Sequence, residues 1–455
     1  MELIDRDRLK ALMEREQQTF VRAHPKSGAL FKRAQKSLWG GVPMNWMSKW
    51  PGGFPVFVTQ AKGARFSDVD GNDYIDLCLG DTGAMTGHAP QAAVEAVIEQ
   101  LHRGVTTMLP TENAIWVGEE LQRRFSLPYW QFALTATDAN RFAIRLARLA
   151  TQRSMVLVFN YCYHGTVDEA FATLQGGKTV ARSGNLGPPV DPGLTTRVVE
   201  FNDVEGLEKA LASGDVACVL AEPVMTNVGI VHPEPGYHDA LRRLTRKYGT
   251  LLIIDETHTI CAGAGGYTRA QGLKPDFFVL GKPIGSGIPA AVYGFTEQVA
   301  EQVSARIKLC ECDTGGIGGT LAGNALSLAA MRATLEKVLT DAAFRRMIPM
   351  AERFSDGVEQ AIKDIGAAWH VTRLGCRAEY LFHPRRPKNG SEAAAAADFE
   401  LERFLHLYAL NRGILLTPFH NMALMSPETT GADVDAHTAV FRQALEELVR
   451  RSAAV

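Results

Sequence analysis

An acidic residue and a lysine follow two successive predicted strands near the middle of the sequence. The apolar run 251–254 leads directly into Asp255, and the apolar run Phe277–Leu280 ends just before Lys282. In open α/β sheets the carboxyl ends of the strands are where ligands bind. A lysine that can form a Schiff base and an acid that can hold a pyridinium nitrogen are the two groups that pyridoxal 5′-phosphate (PLP) chemistry requires.

A second candidate site follows an earlier predicted strand. There Thr135, Ala136 and Thr137 form a turn rich in small and hydroxyl residues before a predicted helix. Free backbone N–H groups at a helix start, helped by the helix dipole, can bind a phosphate group. Ordinary capping by Thr and Asp explains the same pattern, and on this segment alone it is the favoured interpretation.

Two further strand ends carry candidate ligand-binding residues. Tyr163 comes shortly after the apolar run Met155–Phe159, and Glu222 follows the run 216–220. An aromatic ring at such a position can stack on a flat heterocycle, although a single tyrosine is more often a packing residue. Several such residues at the same edge of one sheet indicate a binding site.

The elements that must position these residues alternate between short apolar strands and helices from about residue 90 to residue 335. The predicted strands are 130–134, 155–159, 216–220, 251–254 and 277–280, and the predicted helices include 139–150, 205–211, 238–247 and 324–338. This alternation favours a mainly parallel sheet covered by helices.

The flanking parts of the chain have a different pattern. Residues 63–77 alternate around an Asp-Gly turn, which is typical of a β-hairpin. After about residue 340, a long helix, strands at 378–383 and 414–418 and a helix at 433–451 indicate a separate α+β domain. We therefore predict an N-terminal segment and hairpin (1–85) that belongs to the small domain, a large domain (86–335) and a C-terminal small domain (336–455).

The composition excludes several classes of function. The chain has 455 residues with a net charge of −2, so no basic excess indicates nucleic acid or an anionic membrane. The charged start of the chain predicts that there is no signal peptide, which favours a cytoplasmic protein. The seven cysteines are scattered and odd in number, so we expect reduced thiols rather than disulfides. The spacing of Cys310 and Cys312 does not fit a zinc site, so we expect no metal.

The motifs resemble those of the class III, fold-type I PLP-dependent aminotransferases, most closely the glutamate-1-semialdehyde aminomutase-like branch. The resemblance covers nearly the whole chain, with the motifs in the family's order and spacing. The matching segments are Cys162-Tyr163-His164-Gly165, Glu222-Pro223-Val224 with Asn227 and Gly229, Leu252-Ile253-Ile254-Asp255-Glu256, Gly281-Lys282 and Gly319-Thr320-Leu321-Ala322-Gly323-Asn324. The resemblance implies an α/β large domain with a mainly parallel, seven-stranded sheet covered by helices, plus a smaller α+β domain.

The resemblance also implies a role for each matching residue. Lys282 holds PLP as a Schiff base and then carries protons, and Asp255 keeps the pyridine nitrogen protonated. The other residues expected to bind the cofactor are Thr135, Ala136 and Thr137 at the phosphate, Tyr163 and Thr257 on the two ring faces, and His164, Glu222, Asn227 and His258 nearby. Thr320 is expected to reach the cofactor phosphate of the neighbouring subunit, which implies a homodimer.

The sequence departs from the family pattern at several of these positions. Ala136 stands where the phosphate turn usually has glycine, and Thr257 with His258 replaces the valine that usually follows Asp-Glu. The N-terminal segment has no arginine at the position, on or near Met47, where the family often binds a substrate carboxylate. That absence argues against substrates bound in this way, and Trp46, Met47 and Phe419 are the substrate-side candidates.

These observations predict a PLP-dependent aminotransferase that moves an amino group from an amine or amino acid to a keto acceptor in two half-reactions. An aminomutase of the glutamate-1-semialdehyde type shares every motif and is the main alternative; a racemase or a non-catalytic binding protein is another. A nucleotide-dependent enzyme is less favoured. Residues 172–179 lack the first glycine of a phosphate-binding loop, and 285–290 do not open a helix.

Overall fold

The structure is a computed structural model that describes residues 4–449. The last two residues of the predicted helix 433–451, and part of the chain start on which the signal-peptide prediction rests, lie outside the described residues. Among residues 4–449, no helix combines the length and the apolar character needed to cross a bilayer.

Within the described residues the helices are α1 (Arg6–Ala23), α2 (Pro25–Ala34), α3 (Gln91–Arg103), α4 (Glu112–Phe125), α5 (Ala136–Thr151), α6 (Val204–Leu211), α7 (Tyr237–Lys247), α8 (Gly266–Ala270), α9 (Glu297–Ser304), α10 (Ala325–Ala333), α11 (Asp341–Ile365), α12 (Gly390–Ala395), α13 (Phe399–Leu410) and α14 (Gly431–Val449). The strands are β1 (Val58–Lys62), β2 (Arg65–Asp68), β3 (Asp73–Asp76), β4 (Tyr129–Ala133), β5 (Met155–Phe159), β6 (Ala172–Gln175), β7 (Lys178–Ala181), β8 (Thr196–Val199), β9 (Val216–Ala221), β10 (Leu251–Asp255), β11 (Phe277–Leu280), β12 (Ala291–Phe295), β13 (His370–Leu374), β14 (Arg377–Leu381), β15 (Ile414–Leu415) and β16 (Met422–Leu424).

The chain forms two compact units. Unit 1 contains the residues up to Pro90, Ala343–Arg386 and the residues from Ala396 onward, and unit 2 contains Gln91–Ala342 and Pro387–Ala395. The sequence-based division, which remains a prediction, had given 387–395 to the C-terminal domain. That segment belongs with unit 2 because Ser391 Oγ lies 3.0 Å from Asn160 Nδ2 and the Asn202 side chain donates to the carbonyl of Lys388.

Unit 2 is built on a seven-stranded sheet in the order β4-β12-β11-β10-β9-β5-β8. Strand β12 runs opposite to the other six strands of this sheet, so the prediction of a mainly parallel, seven-stranded, helix-covered sheet is confirmed. Side chains alternate between the two faces of each strand. Leu251 and Ile253 accordingly pack in one apolar core with α5, while Leu252 and Ile254 pack in another with α6 and α7.

Unit 1 contains two small sheets and several helices. One sheet has the order β1-β2-β3-β15 and the other β13-β14-β16. The predicted hairpin is present as β2 and β3, and Asp68 accepts the backbone N–H groups of Asp70 and Asn72 in its turn. The turn is therefore closed by a carboxylate that bonds its own backbone.

Several predicted elements differ from the observed ones. The helix expected from 139 begins at Ala136, because Thr135 caps it. The helix expected over 324–338 consists of α10 followed by a π-helical turn over Thr334–Val338. The strand expected at 414–418 is shorter, because only Ile414–Leu415 form β15. Residues 172–179 form the hairpin β6-β7 and not a phosphate loop.

Candidate active site

Asp255 and Lys282 lie at the carboxyl edge of the sheet in unit 2. Strands β10 and β11 are parallel neighbours, and Asp255, the last residue of β10, is in register with Val279 of β11. Asp255 is buried, whereas Lys282 is half-buried and opens the short 3-10 helix Lys282–Gly285. The sheet therefore brings a buried carboxylate and a half-buried amine to one edge.

The backbone at the lysine adopts an unusual conformation. Lys282 has a φ of 48°, in the left-handed region that costs a residue with a side chain about 1–2 kcal/mol. The preceding Gly281 allows a close approach, since a Cβ added there would lie 3.0 Å from the Cβ of Ala136 at the start of α5. Unfavourable backbone conformations of this kind cluster at functional sites.

Asp255 accepts hydrogen bonds from three donors. Its Oδ2 accepts from His164 Nδ1 at 2.9 Å and from Asn140 Nδ2 at 2.8 Å, and its Oδ1 accepts the backbone N–H of Thr257 at 3.0 Å. Burial favours the neutral carboxyl, but the hydrogen bond and charge of His164 outweigh it, so the pKa of Asp255 is lowered. The carboxylate is consequently ionised at neutral pH.

His164 forms the other half of this buried pair. Burial by itself lowers a histidine pKa, yet the hydrogen bond to Asp255 reverses the direction and raises the pKa of His164. The raised pKa favours the protonated imidazole, which pairs with the carboxylate inside unit 2. His164, predicted only as a cofactor-binding residue, thus contacts the acid directly.

Asn140 was missed by the sequence analysis. It is fully buried on α5, and its Nδ2 bonds both the side chain of Asp255 and, at 3.3 Å, the carbonyl of His164. The signal was present, because a polar side chain on the apolar face of the predicted helix 139–150 needs a buried partner. The sequence could not say which partner.

The start of α5 has the geometry of an anion site. Thr135 is the N-cap, and its Oγ1 accepts the N–H of Asp138 at 3.2 Å, while Ala136 and Thr137 occupy the first helical positions. The first N–H groups of a helix have no partner within the helix, and the dipole of this 16-residue helix favours a negative charge there. A phosphate group fits this position.

Gly165 packs the loop after β5 against that helix start. Thr137 Oγ1 accepts the N–H of Thr166 at 3.0 Å, and a Cβ added at Gly165 would lie only 2.0 Å from the same oxygen. Since Gly165 also has a φ of 75°, a larger residue there would displace Thr137. The small residue in the motif is therefore required by the close approach of two loops.

The loops after β5 and β9 are tied together. Asn227 Nδ2 donates to the carbonyl of Tyr161 at 2.8 Å, and the buried Glu222 accepts from the Thr226 hydroxyl. Tyr163 stands edge-on to Phe171, with ring centroids 6.5 Å apart. The structure thus brings Tyr163, Glu222 and Asn227 to the same edge as Asp255, while their contacts with a cofactor remain predictions.

The segment after Asp255 brings a histidine to the lysine. His258 Nε2 lies 2.8 Å from Lys282 Nζ. Thr257 is buried beside Asp255, and its side chain helps to keep the pKa of that carboxyl low. The segment after Asp255 thus contacts both the acid and the lysine.

The remaining predicted residues lie further along the chain. Thr320 is exposed in the turn before α10, where its role toward a neighbouring subunit remains a prediction. In unit 1, Trp46 and Phe419 form an edge-to-face pair with centroids 5.5 Å apart, and Lys49 lies 4.8 Å from the Phe419 ring centre. Met47 is exposed. Their role toward a substrate is likewise a prediction.

The residues of unit 2 fit PLP. An ionised carboxylate suits a protonated pyridine nitrogen, the start of α5 suits a phosphate, and Lys282 suits the aldehyde. Among residues 4–449, no group of three or more His, Cys, Asp and Glu side chains is arranged to hold a metal ion.

Comparisons with known proteins agree with this geometry. A family described as "Aminotransferase class-III" matches residues 46–445. A glutamate-1-semialdehyde 2,1-aminomutase of Sorangium cellulosum (strain So ce56) is 36% identical over 430 residues, which cover 92% of this chain and 96% of the relative. A solved omega-transaminase from Sphaerobacter thermophilus is 29% identical with a TM-score of 0.84, covering 93% of this chain and 97% of its own.

A solved glutamate-1-semialdehyde-aminomutase from Pseudomonas aeruginosa PAO1 is more similar. It is 49% identical with a TM-score of 0.95, and the match covers 98% of this chain and 99% of that one. A lysine-to-alanine variant of that aminomutase has been solved in complex with PMP. PLP, the predicted cofactor, is confirmed as the cofactor of the family, together with its fold-type I architecture. The chain therefore belongs to the class-III aminotransferases, a family of PLP-dependent enzymes.

Proposed function

We propose that this enzyme is a PLP-dependent aminomutase of the glutamate-1-semialdehyde type. In such a reaction an amino group moves between adjacent carbons of one molecule, so the product is an isomer of the substrate and no external acceptor is consumed. The observation that carries the proposal is the 49% identity, over 98% of the chain, to a solved aminomutase. The sequence patterns by themselves had favoured a transaminase and ranked the aminomutase second.

Lys282 and Asp255 have the central roles in the proposal. Bound PLP supplies an electron sink for the negative charge that develops at a substrate carbon. Lys282 attaches the cofactor and, once an amine has displaced it, takes a proton from one carbon and returns it to another. Asp255 stays ionised through its contacts with His164 and Asn140, so it can hold a proton on the pyridine nitrogen.

The other residues orient the cofactor. Thr135, Ala136 and Thr137 at the start of α5 bind the phosphate through backbone N–H groups and hydroxyls. Tyr163 and Thr257 are proposed to lie against the two faces of the ring, and Asn227 and Glu222 to support it. The hydrogen bond from Asn227 to Tyr161 keeps two of these loops together.

A second copy of the chain is proposed as the partner, with Thr320 reaching the neighbouring phosphate. Unit 2 exposes large apolar side chains, among them Leu309 at 74% and Met108 at 75%. Ile115, Tyr129 and Leu309 also line a groove of about 690 Å³. Exposed apolar patches of this kind mark association surfaces, and a dimer that shares its sites fits them.

A transaminase is the second candidate, and one observation favours it. The segment that carries Trp46 and Met47 lacks the arginine on which part of the family relies for a substrate carboxylate. An amine or amino acid held by apolar contacts would then donate its amino group to a separate keto acid. The omega-transaminase among the solved relatives, at 29% identity, is in keeping with this alternative.

Product analysis discriminates between the two reactions. The PLP-loaded enzyme is incubated with glutamate-1-semialdehyde, and separately with a panel of amines and amino acids, each with and without a keto acid. An aminomutase converts the semialdehyde to its amino-ketone isomer without an acceptor. If no isomer forms and an amino group is transferred only when a keto acid is added, the enzyme is a transaminase.

The attachment site can be tested independently of the substrate. Borohydride reduction of the PLP-loaded protein should leave a stable tag on Lys282, located by peptide mass mapping. Lys282→Ala should lower turnover by far more than tenfold, that is by more than about 1.4 kcal/mol of barrier. Lys274→Ala, an exposed lysine of the same unit, is the matched control and should keep both tag and turnover. A tag on any other lysine contradicts the proposal.

A further inference from the structure

His258, which with Thr257 departs from the residue that usually follows Asp-Glu in the family's motif, contacts Lys282. His258 Nε2 lies 2.8 Å from Lys282 Nζ, the distance of a good hydrogen bond. The two residues come from neighbouring strand ends, because β10 leads to His258 and β11 leads to Lys282. Both side chains are half-buried.

The chemistry of the two nitrogen atoms limits what this contact can be. A lysine ammonium only donates hydrogen bonds, so Nε2 accepts from it only when that ring nitrogen carries no proton. If the lysine is a neutral amine, its lone pair can instead accept from a protonated Nε2. The same distance therefore suits a single proton on either nitrogen, Lys282 Nζ or His258 Nε2. Protonation of both would place two cations side by side, and they would repel each other.

The other titratable groups at this edge are engaged with different partners. On β10, Asp255 is paired with His164, and Glu256 accepts from the Thr259 hydroxyl and the N–H of Tyr267. After β9, Glu222 accepts from Thr226. Other titratable groups on these elements are Tyr163 and Cys162 on the loop after β5, Cys261 shortly after His258, and Tyr293 of β12, whose pKa is raised by burial.

We infer that His258 is a positioning residue that holds the proton of Lys282 between chemical steps. In the step, an N–H bond at Nζ breaks, its electron pair stays on the lysine nitrogen, and an N–H bond forms at His258 Nε2. No electrons are transferred and no further reactant is needed. The lysine is left as a neutral amine, which is the form that attacks an aldehyde or takes a proton from carbon.

This role rests on the proposed attachment of PLP at Lys282 but not on which amino transfer follows. A mutase and a transaminase both need a neutral Lys282 each time the lysine attaches to the cofactor again. Because the histidine lies on the same edge of the sheet, it returns the proton without an exchange with bulk water.

The test measures the rate at which PLP attaches to the full-length protein, followed by the visible absorption band, from about pH 6 to about pH 10. Attachment requires a neutral amine, so His258→Gln should slow it about tenfold at pH 7, because glutamine can accept a hydrogen bond but cannot take up a proton. The difference should vanish at the alkaline end, where hydroxide removes the proton. His102→Gln, an exposed histidine of α3, is the control and should behave as the wild type.

A second readout uses the loaded enzyme at equilibrium. The pH midpoint of the visible band should move in His258→Gln and stay unchanged in His102→Gln. Equal attachment rates and midpoints in wild type and His258→Gln would overturn the inference, as would a tenfold slowing that persists at every pH, since that is the mark of a merely structural role. If His258→Gln and His258→Asn both lose the folded state, the histidine supports the fold and the inference is overturned as well.

The outcome is separable from the proposed function. Borohydride tagging identifies the attachment site in the wild type before any variant is compared. A tag on a residue other than Lys282 would contradict the proposed function. A tag on Lys282, with no effect of His258→Gln on attachment, would contradict only the role of the histidine.

Discussion

Two equally buried histidines, one in each unit, have opposite protonation behaviour. His164 in unit 2 and His437 in unit 1 are each 1% exposed. His437 packs against the ring of Phe354 with centroids 4.5 Å apart, and burial lowers its pKa to about 3. His164 is buried just as deeply, yet its pKa is raised because Asp255 accepts its N–H. Burial is the same, and the carboxylate makes the difference.

The buried His406 and the half-buried Glu402 of unit 1 follow His437 rather than His164. Burial lowers the pKa of His406 to about 3 and raises the pKa of Glu402 to about 7. Each shift favours the uncharged form, the cheaper state in an apolar interior. These three groups of unit 1 favour the uncharged form, whereas the end of β10 in unit 2 keeps a buried ion pair. The partner that each group finds therefore decides its charge: Glu16 of unit 1, buried beside Arg412, has a lowered pKa as Asp255 does.

Replacing each histidine by leucine should give the largest contrast between the units. His164→Leu removes the cationic partner of a buried carboxylate and should lower the free energy of unfolding by about 3 kcal/mol. His437→Leu exchanges a neutral ring among aromatic neighbours for an apolar side chain and should cost less than about 1.5 kcal/mol. Urea unfolding of the cofactor-free proteins measures both values. Equal losses would show that the two histidines are held in the same way.

Removing the negative charge of Asp255 should leave His164 as a buried histidine with a lowered pKa, like His437. In Asp255→Asn the side chain keeps its shape but loses its charge, so the imidazole should become neutral at pH 7, which nitrogen NMR detects. Turnover should fall at least about 100-fold, or about 2.7 kcal/mol of barrier, because the pyridine nitrogen loses its counter-ion. Asp364→Asn, an exposed carboxylate of unit 1, is the control. Near-normal turnover together with a neutral His164 would mean that the ion pair serves stability only.

The sequence predicts the elements of unit 2 better than the contacts among them. Strands β5 and β11 lie within their predicted bounds, and Asp255 and Lys282 meet at one edge, because apolar runs and the residues after them are short-range signals. The partners of Asp255 were not predictable. Asn140 and His164 are 115 and 91 positions away in sequence, and their contact depends on how α5 and the loop after β5 pack on the sheet.

Two further features could not be predicted from the sequence for the same reason. They are the contact between His258 and Lys282 and the position of segment 387–395. His258 was noticed as unusual, but only the register of β10 against β11 brings its ring to the lysine. Segment 387–395 has no strong pattern of its own, and it joins unit 2 through Ser391 and the backbone around Gly390, where a Cβ would lie 2.2 Å from the carbonyl of Asn160. Such close approaches between distant segments leave no periodic trace in the sequence.

Glu402 offers a test, with a smaller expected effect, of whether an acidic side chain of unit 1 is uncharged in the folded protein. Burial is the main cause of its raised pKa, with Glu379 adding to it and His420 and Arg403 opposing it. Because the pKa is 4.5 in the unfolded chain and about 7 in the folded one, the folded state holds more protons between these values. The free energy of unfolding should therefore fall as pH rises from about 4.5 to about 7 and stay low above that.

Glu402→Gln should remove that decline, because glutamine stays neutral at every pH. At pH 8 the variant should be more stable than the wild type by about 1–2 kcal/mol, and below about pH 4 the two should be equal. Unfolding by urea at four or five pH values measures the difference, with the exposed Glu400→Gln on the same helix as the control. If the wild type and Glu402→Gln lose stability in parallel as the pH rises, the carboxylate is already ionised in the folded protein. The contrast would then rest on the buried histidines alone.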